Sequence, residues 1–353
     1  MTDTRAKEPV PFPSYTSFLR INRTLEQTEQ IFNQRIKDAE EVFQKFSKTF
    51  RTRRCPVCDE SKQRELTPFH NLYGVAECKT CLTQYVNPCP SIEALTYYYN
   101  ECKSNGLFND LVRNGLKSRH NILSNRVNFV ATLIQNNFKN QDSINVLEIG
   151  CGSGVFLSEL KNQLTKTVQD IKLIYNGIDI DRTAISKNVD STLNLVAASA
   201  EDFASSSEQK FDLVLHFELI EHLQDPYSFM RSVRNLLTEN GIHHFHTPNA
   251  TGFDNRALGY NAFRPLAHGI FPPMHLQAFT PQNIMHFAIR SGFQLLQVDT
   301  PGEFDVDIVK TFLRRDDQDF GLIHEIPEPY LAVFQHWLKL LCASSHMRVT
   351  LSI

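Results

Sequence analysis

Residues 146–157 read VLEIGCGSGVFL, and no other stretch of this 353-residue chain is so closely specified. The residues before the first glycine have the apolar character of a buried parallel strand, and those from Val155 onward begin a helix. Glycine suits the turn between them because a left-handed backbone costs it little and because a Cβ would keep a ligand away. The stretch therefore predicts a strand, a glycine loop and a helix that together cradle a nucleotide-like ligand.

Two details of this loop argue against a dinucleotide. Glycines stand at Gly150, Gly152 and Gly154, and apolar residues stand where the pyrophosphate fingerprint needs its third glycine. In addition, Glu148 at the carboxyl end of the strand would repel a pyrophosphate but would suit a ligand with positive charge. S-adenosylmethionine, a nucleoside that carries a sulfonium and an α-ammonium group, is such a ligand.

The glycine loop and three later segments resemble the ordered motifs of class I S-adenosylmethionine-dependent methyltransferases, over roughly residues 144–300. Residues 176–181 (NGIDID) resemble the end of that family's second strand. Residues 200–203 (AEDF) resemble the loop after its third strand, and residues 211–215 (FDLVL) resemble its fourth. Because all four segments occur in the expected order and spacing, the resemblance implies a methyltransferase that uses S-adenosylmethionine.

The resemblance also implies which residues contact the cofactor. The loop glycines pass under its methionine part, Glu148 favours its cationic groups, and Asp179 accepts hydrogen bonds from the ribose hydroxyls. Ala200 and Glu201 lie where the family holds the adenine, although Ser199 stands where the family often has an aspartate. The expected cofactor residues are Glu148, Gly150, Gly152, Gly154, Asp179, Ala200, Glu201 and Phe217.

Short apolar strands alternate with helical segments from residue 144 onward, which predicts an α/β fold. We expect a doubly wound, mostly parallel, Rossmann-like sheet that binds ligands at the carboxyl ends of its strands, behind a small N-terminal zinc ribbon and a helical arm. The expected parts are an arm and amphipathic helix at 1–52, a zinc ribbon at 53–90, a helical connector at 91–140, the S-adenosylmethionine-binding catalytic domain at 141–300 and a C-terminal helical extension at 301–353.

The ribbon is predicted from two Cys-x-x-Cys pairs, Cys55 with Cys58 and Cys78 with Cys81, among the eight cysteines of the chain. Two such pairs supply the four thiolates that a structural Zn²⁺ requires. Four buried free cysteines would not explain the spacing, and redox motifs of this kind occur singly. The metal either holds together a lobe with little core of its own, which we prefer, or organises a module that binds RNA through nearby basic residues. Those residues are Arg51, Arg53, Arg54, Lys62 and Arg64.

Composition sets further bounds. The chain is 41% hydrophobic and 21% charged with a formal net charge of −3, so it can bury a full core and carries no strong nucleic-acid signature. No signal-peptide h-region follows Met1 and no apolar run of about 18 residues occurs in the sequence, and we therefore expect a cytoplasmic protein without a membrane span. An amphipathic helix from Leu25 to about Thr49 is expected to pack on its own chain, the alternative being a coiled-coil dimer contact.

A second metal site is expected after the fourth strand of the predicted sheet. If a helical turn begins there, Glu218, Glu221 and His222 project from one face, and His275 is the candidate next ligand. This Glu-x-x-Glu-His pattern resembles the metal cluster of small-RNA 2′-O-methyltransferases and residues of ubiquinone-pathway O-methyltransferases. A bound Mg²⁺ or another divalent cation would lower the pKa of an acceptor hydroxyl.

Two alternatives stay open at this segment. Without a metal, His222 or Glu221 acts as the general base, and His246 can also approach the acceptor. Otherwise, Glu218 and His222 only order a loop over the cofactor.

The function expected from these observations is methyl transfer to a hydroxyl group, with a transfer to carbon or nitrogen as the lesser alternative. The ribbon and the segment that follows it, Asn87-Pro88-Cys89-Pro90-Ser91, resemble those of bacterial sugar and polysaccharide methyltransferases. Our first candidate for the acceptor is therefore a sugar or polysaccharide precursor, which is a small-molecule or glycan substrate. RNA is the second. The third hypothesis is a protein that binds S-adenosylmethionine without turnover.

Overall fold

The computed structural model describes residues 25–107, 116–167, 171–258, 269–313 and 321–353. Within them, no helix is both long and apolar enough to cross a lipid bilayer. The strands are β1 (Gln63–Phe69), β2 (Tyr73–Cys78), β3 (Gln84–Val86), β4 (Ser143–Ile149), β5 (Lys172–Asp179), β6 (Asn194–Ala197), β7 (Phe211–Phe217), β8 (Leu237–Pro248), β9 (Gln277–Ala278), β10 (Gln294–Asp299) and β11 (His346–Ser352). The helices are α1 (Leu25–Phe46), α2 (Ile92–Glu101), α3 (Leu116–Asn137), α4 (Val155–Thr167), α5 (Arg182–Ile185), α6 (Ala200–Ser206), α7 (Pro226–Leu236), α8 (Phe253–Leu258), α9 (Pro281–Arg290), α10 (Asp305–Phe312) and α11 (Glu328–Leu340).

The central sheet has seven strands in the order β10-β11-β8-β7-β4-β5-β6, and its five strands from β8 to β6 are parallel. Apolar faces of α3 and α4 pack on one side of the sheet, and those of α7 and α9 pack on the other. The predicted doubly wound α/β fold is therefore confirmed. The chain winds from β4 toward β6 in one direction and from β7 toward β8 in the other, so a ligand crevice opens beyond the carboxyl ends of β4 and β7.

The C-terminal residues differ from the expected helical extension. Helices α10 and α11 are present, but the chain then returns to the central sheet as β11, which is antiparallel to both β8 and β10. Met347, Val349 and Leu351 alternate along this strand and are fully buried. This alternation was visible in the sequence, but the sequence did not indicate that the strand pairs with strands far away in the chain.

The ribbon is not a separate lobe. Strands β1, β2 and β3 form an antiparallel sheet, and β9, which belongs to the C-terminal half of the chain, is its fourth strand. Cys55, Cys78 and Tyr85 lie in the same hydrophobic core as Ile149 and Phe245 of the central sheet. The expected boundary at residue 90 therefore divides residues that share one core.

Helix α1 packs on its own chain, as preferred from the sequence. Phe32, Ala39 and Val42 are buried in a cluster with Tyr73 and other aromatic residues of the ribbon sheet, and the Tyr73 hydroxyl donates a 2.8 Å hydrogen bond to Ala39 O. The arm predicted ahead of this helix lies outside the described residues.

Candidate functional site

The glycine loop after β4 has the backbone that its sequence predicts. Gly150, Gly152 and Gly154 have φ values of +77°, +55° and +83°, in the left-handed region that favours glycine. A Cβ added at Gly152 would meet no atom within 4 Å, whereas one added at Gly154 would lie 2.7 Å from Cδ1 of Leu193. The loop thus packs tightly on one side and leaves open space at Gly152, which is a cradle that a ligand can fill.

Glu148, at the end of β4, is a buried carboxylate whose Oε2 has no hydrogen-bond partner. Burial raises the pKa of Glu148 to about 8, Arg126 opposes this rise and Asp179 adds to it. A buried acid of this kind gains most from a cationic ligand, because the ligand's charge offsets the cost of ionisation. The site therefore fits the sulfonium and ammonium groups of S-adenosylmethionine.

Asp179 ends β5 beside the glycine loop. Its Oδ2 accepts a 2.8 Å hydrogen bond from Gly152 N, and its Oδ1 accepts one of the same length from Asp181 N. The carboxylate is thus held at the rim of the cradle, where the sequence predicts a ribose ligand. Ala200 and Glu201 begin α6 at the end of the neighbouring β6, with Ala200 buried and Glu201 exposed.

Phe217 is the last residue of β7, and Glu218 follows it. The Phe217 ring lies 4.6 Å from that of Phe156, and the Arg126 guanidinium lies 4.9 Å from its centroid. Glu218 adopts a φ of +51°, and its carboxylate pairs with Arg126 at 2.7 Å and with His346 at 3.5 Å. The helical turn begins only at Ile220, so Glu218 does not project with Glu221 as the sequence analysis expects.

The other three predicted ligands come together, and we call Glu221, His222 and His275 the Glu–His–His cluster. One ligand atom from each lies within 4.8 Å of the others. The Thr247 hydroxyl donates to Oε2 of Glu221 at 2.9 Å, while Oε1 has no hydrogen-bond partner and lies 3.8 Å from Nε2 of His222. Burial, reinforced by the nearby Glu218, raises the pKa of Glu221.

The His222 imidazole is oriented by its Nδ1, which lies 3.0 Å from Met274 O and 3.2 Å from the Tyr99 hydroxyl. A carbonyl oxygen can only accept, so Nδ1 carries the proton and Nε2 keeps the lone pair facing the cluster. Burial lowers the pKa of His222 to about 4, which keeps the ring neutral. Such an imidazole can accept a proton or ligate a metal ion.

His246 lies apart from this cluster. It is buried in β8, its ring stands edge-on to Phe217 at 5.1 Å, and burial lowers its pKa well below the usual range. His246 therefore contacts Phe217, a residue that the sequence resemblance places at the cofactor.

The four predicted zinc ligands converge. The Sγ atoms of Cys55 and Cys81 are 3.5 Å apart, those of Cys58 and Cys78 are 3.4 Å apart, and all four lie within 4.8 Å of one another. Tetrahedral Zn²⁺ with Zn–S bonds of about 2.3 Å needs sulfur atoms roughly 3.8 Å apart. The donor set and its spacing therefore fit a structural zinc ion.

A family model described as a methyltransferase domain matches residues 122–298, which is half of the 353-residue chain. The chain belongs to this family. The match begins in α3 and ends in β10, so it includes the glycine loop, Asp179, the Glu–His–His cluster and most of the central sheet. The class I resemblance of the sequence is thereby confirmed.

Known relatives match this methyltransferase over part of their length. The ubiquinone biosynthesis O-methyltransferase of Actinobacillus pleuropneumoniae serotype 5b is 31% identical over 110 residues, which are 30% of this chain and 46% of that protein. The mitochondrial ubiquinone biosynthesis O-methyltransferase of Arabidopsis thaliana is 29% identical over 143 residues, or 38% of this chain and 44% of that protein. The chain spans about half the length of the curated relatives it matches.

Solved structures are also similar to this chain. The plantazolicin methyltransferase BamL, in complex with a triazolic desmethylPZN analog and SAH, has a TM-score of 0.44 at 16% identity, covering 74% of this chain and 94% of that one. A SAM dependent methyltransferase from Archaeoglobus fulgidus has a TM-score of 0.41 at 18% identity, covering 64% and 94%.

Four of the five basic residues around the ribbon of the methyltransferase make contacts within the chain. Arg51 donates to backbone carbonyls of its own segment. Arg54 pairs with Asp59 and Arg64 pairs with Glu77. The Arg53 guanidinium is turned inward and donates to backbone carbonyls. Arg53 is therefore turned away from any nucleic acid, whereas Arg54 and Arg64 stay exposed with their charges paired to carboxylates.

Sequence reasoning missed the residues that support the Glu–His–His cluster. They are Thr247 and Tyr99, which contact it directly, and Arg53 and Gln277, which hold the backbone around it. The Thr247 hydroxyl, directly after His246, was the one local signal, since His246 was already expected to approach the acceptor.

Proposed function

We propose that this chain is an S-adenosylmethionine-dependent methyltransferase that transfers a methyl group to a hydroxyl oxygen of a small-molecule acceptor. The observation that carries the proposal is the juxtaposition, beyond the neighbouring strands β4 and β7, of an open glycine cradle with a buried carboxylate and two imidazoles. The O-methyltransferase names of the relatives support transfer to oxygen.

The cofactor would be held by Glu148, the glycine loop, Asp179 and the start of α6, as the sequence resemblance implies. When bound, S-adenosylmethionine supplies an electrophilic methyl group on its sulfonium. The remaining task of the protein is to bring an acceptor oxygen into line and to remove its proton, which is mainly a matter of positioning.

Deprotonation is assigned to the Glu–His–His cluster. Oε1 of Glu221 lacks a partner and Nε2 of His222 carries a lone pair, so either atom can receive the hydroxyl proton. The same atoms together with His275 would hold a divalent cation, which would lower the hydroxyl's pKa. With Glu218 near the cluster but not part of it, two imidazoles and one carboxylate suit Zn²⁺, Fe²⁺ or Co²⁺ better than Mg²⁺, which prefers oxygen ligands.

Within the small-molecule class, a sugar or polysaccharide precursor remains our first candidate for the acceptor, because the ribbon and the segment that follows it resemble those of sugar and polysaccharide methyltransferases. RNA is a weaker candidate because Arg53 is turned inward and the exposed Arg54 and Arg64 are already paired with carboxylates. The shared core also supports the preferred role of the ribbon, namely that the metal stabilises structure.

The test uses the full-length, zinc-loaded protein. We expect S-adenosylmethionine to bind in a calorimeter and radiolabelled methyl to reach at least one compound of a nucleotide-sugar panel, with RNA as a parallel substrate. Glu221→Gln and His222→Ala should keep cofactor affinity and lose transfer. Absence of cofactor binding would refute the proposal, and cofactor binding without any transfer would favour the non-catalytic alternative. Transfer to RNA that weakens steeply with salt would favour RNA over the sugar.

A further inference from the structure

The Arg53 side chain joins the ribbon to the site. It lies two residues before Cys55, and its backbone N–H donates a 2.9 Å hydrogen bond to Oδ1 of Asn87. Its Nε donates to Val86 O at 3.2 Å, within ribbon strand β3. Burial lowers the pKa of Arg53, yet an arginine stays charged in a protein. The ribbon thus presents a fixed cation to the rest of the molecule.

The two terminal nitrogens of this guanidinium reach the backbone just beyond both histidines of the cluster. Nη1 donates a 3.1 Å hydrogen bond to Gln224 O, two residues after His222. Nη2 donates a 2.8 Å hydrogen bond to Leu276 O, one residue after His275. One planar group therefore ties together the two segments that supply the imidazoles.

Gln277 extends the same connection. Its Oε1 accepts from both terminal nitrogens of Arg53 at 3.3 Å, and its Nε2 donates to Ile220 O at 2.7 Å and to Leu223 O at 2.9 Å. In addition, Leu276 N donates to Glu221 O at 2.8 Å. These bonds bracket the helical turn that carries two members of the cluster.

The hydrogen-bond acceptors of the Arg53 guanidinium are neutral oxygens, and the group also lies 5.6 Å from the centroid of the Tyr85 ring. Within the described residues, no carboxylate lies within 4.0 Å of it. A desolvated cation among neutral acceptors is costly, and a lysine has no fork that can hold several oxygens at once. We propose that Arg53 is a positioning residue that couples the metal-loaded ribbon to the Glu–His–His cluster. This inference rests on the proposed function, which assigns that cluster to the acceptor, and it makes the ribbon part of the geometry of the active site.

The test compares Arg53→Met and Arg53→Lys with Arg54→Met, a matched control whose side chain is exposed and paired with Asp59 on the same ribbon. All are full-length and zinc-loaded. Three properties are measured: Co²⁺ binding at the Glu–His–His cluster, the imidazole ¹H–¹⁵N resonances of the cluster histidines, and affinity for S-adenosylmethionine. Arg53→Met should weaken Co²⁺ binding by about 10- to 100-fold, as expected for loss of a residue that supports metal ligands. Arg53→Met should also shift both imidazole resonances and leave cofactor affinity unchanged. The Co²⁺ affinity and the resonances of Arg53→Lys should lie between those of Arg53→Met and the wild type. The Arg54→Met control should change none of the three properties.

Unchanged imidazole resonances in Arg53→Met, with zinc retained, would overturn the inference, as would equal shifts in the Arg54→Met control. If the wild type binds no Co²⁺ at the cluster, the metal part of the proposed function fails, and the imidazole resonances alone decide the role of Arg53. Should Arg53→Met not fold, Gln277→Met on β9 interrupts the same connection without altering the segments that carry the four ribbon cysteines, and the same shifts are expected from it.

Discussion

The Thr247 hydroxyl donates a 2.9 Å hydrogen bond to Oε2 of Glu221, and both residues are buried. This bond fixes the carboxylate so that its other oxygen faces His222. Thr247→Val keeps the side-chain shape but removes the donor, leaving a buried oxygen unsatisfied. We expect a loss of about 1–3 kcal/mol in the free energy of unfolding, measured with urea.

Thr247→Ser is the matched control, because it retains the hydroxyl and should unfold much closer to the wild type. A Thr247→Val protein as stable as the wild type would mean that the carboxylate does not depend on this bond.

Glu148 should release a proton when the cofactor binds. Its pKa is raised to about 8 in the free protein, so at pH 7 it is mostly protonated, and a cationic ligand favours its ionised form. We therefore expect S-adenosylmethionine binding to release close to one proton at pH 7, and affinity to rise with pH until about pH 8. Calorimetry in two buffers of different ionisation enthalpy measures this release.

The same group predicts how the free protein responds to pH. Since the folded-state pKa of Glu148 lies above its ordinary value of 4.5, its contribution to stability is fully present below pH 4.5 and is lost as pH rises through about 8. Glu148→Gln should remove both this dependence and the proton release. Binding enthalpies that do not depend on the buffer in the wild type would contradict the assignment.

Removal of the ribbon metal should affect the whole molecule. Because Cys55 and Cys78 share a core with central-sheet residues, and because β9 completes the ribbon sheet, loss of the metal removes support from both parts. We expect chelation, or Cys55→Ser, to lower the melting temperature of the single unfolding transition and to weaken cofactor binding, measured by calorimetry and circular dichroism. A chelated protein that unfolds in two steps and keeps its cofactor affinity would show instead that the ribbon is an independent lobe.

The parts of this structure that were predictable from sequence are those whose cause is local. The loop around Gly152 was predictable because consecutive residues determine both its backbone conformation and its chemistry. The Cys-x-x-Cys pairs were predictable because metal geometry restricts their spacing. The alternation of apolar and polar residues around Val349 was visible in the sequence, but a seven-residue pattern does not indicate which strand this strand pairs with.

Prediction failed at the site where distant parts of the chain determine the outcome. A helical turn beginning at Glu218 was a reasonable expectation, but the left-handed backbone there and the attraction of Arg126 and His346 hold the carboxylate outside the cluster. Likewise, nothing near Arg53 in the sequence indicates that its guanidinium binds Gln224 O and Leu276 O, because these hydrogen bonds exist only in the folded chain.

The different directions of the two glutamates lead to a final prediction. If Glu221 ligates a cation and Glu218 does not, Glu221→Gln should abolish Co²⁺ binding at the cluster of the zinc-loaded protein. Glu218→Gln should change this affinity by less than about 10-fold, because it removes only a charge nearby and not a ligand. Its main effect should fall on Arg126, which loses a 2.7 Å ion pair. Calorimetric titration of both variants measures the difference. Equal losses of affinity would mean that Glu218 turns into the cluster when the metal binds, and the four-ligand site expected from the sequence would then be correct.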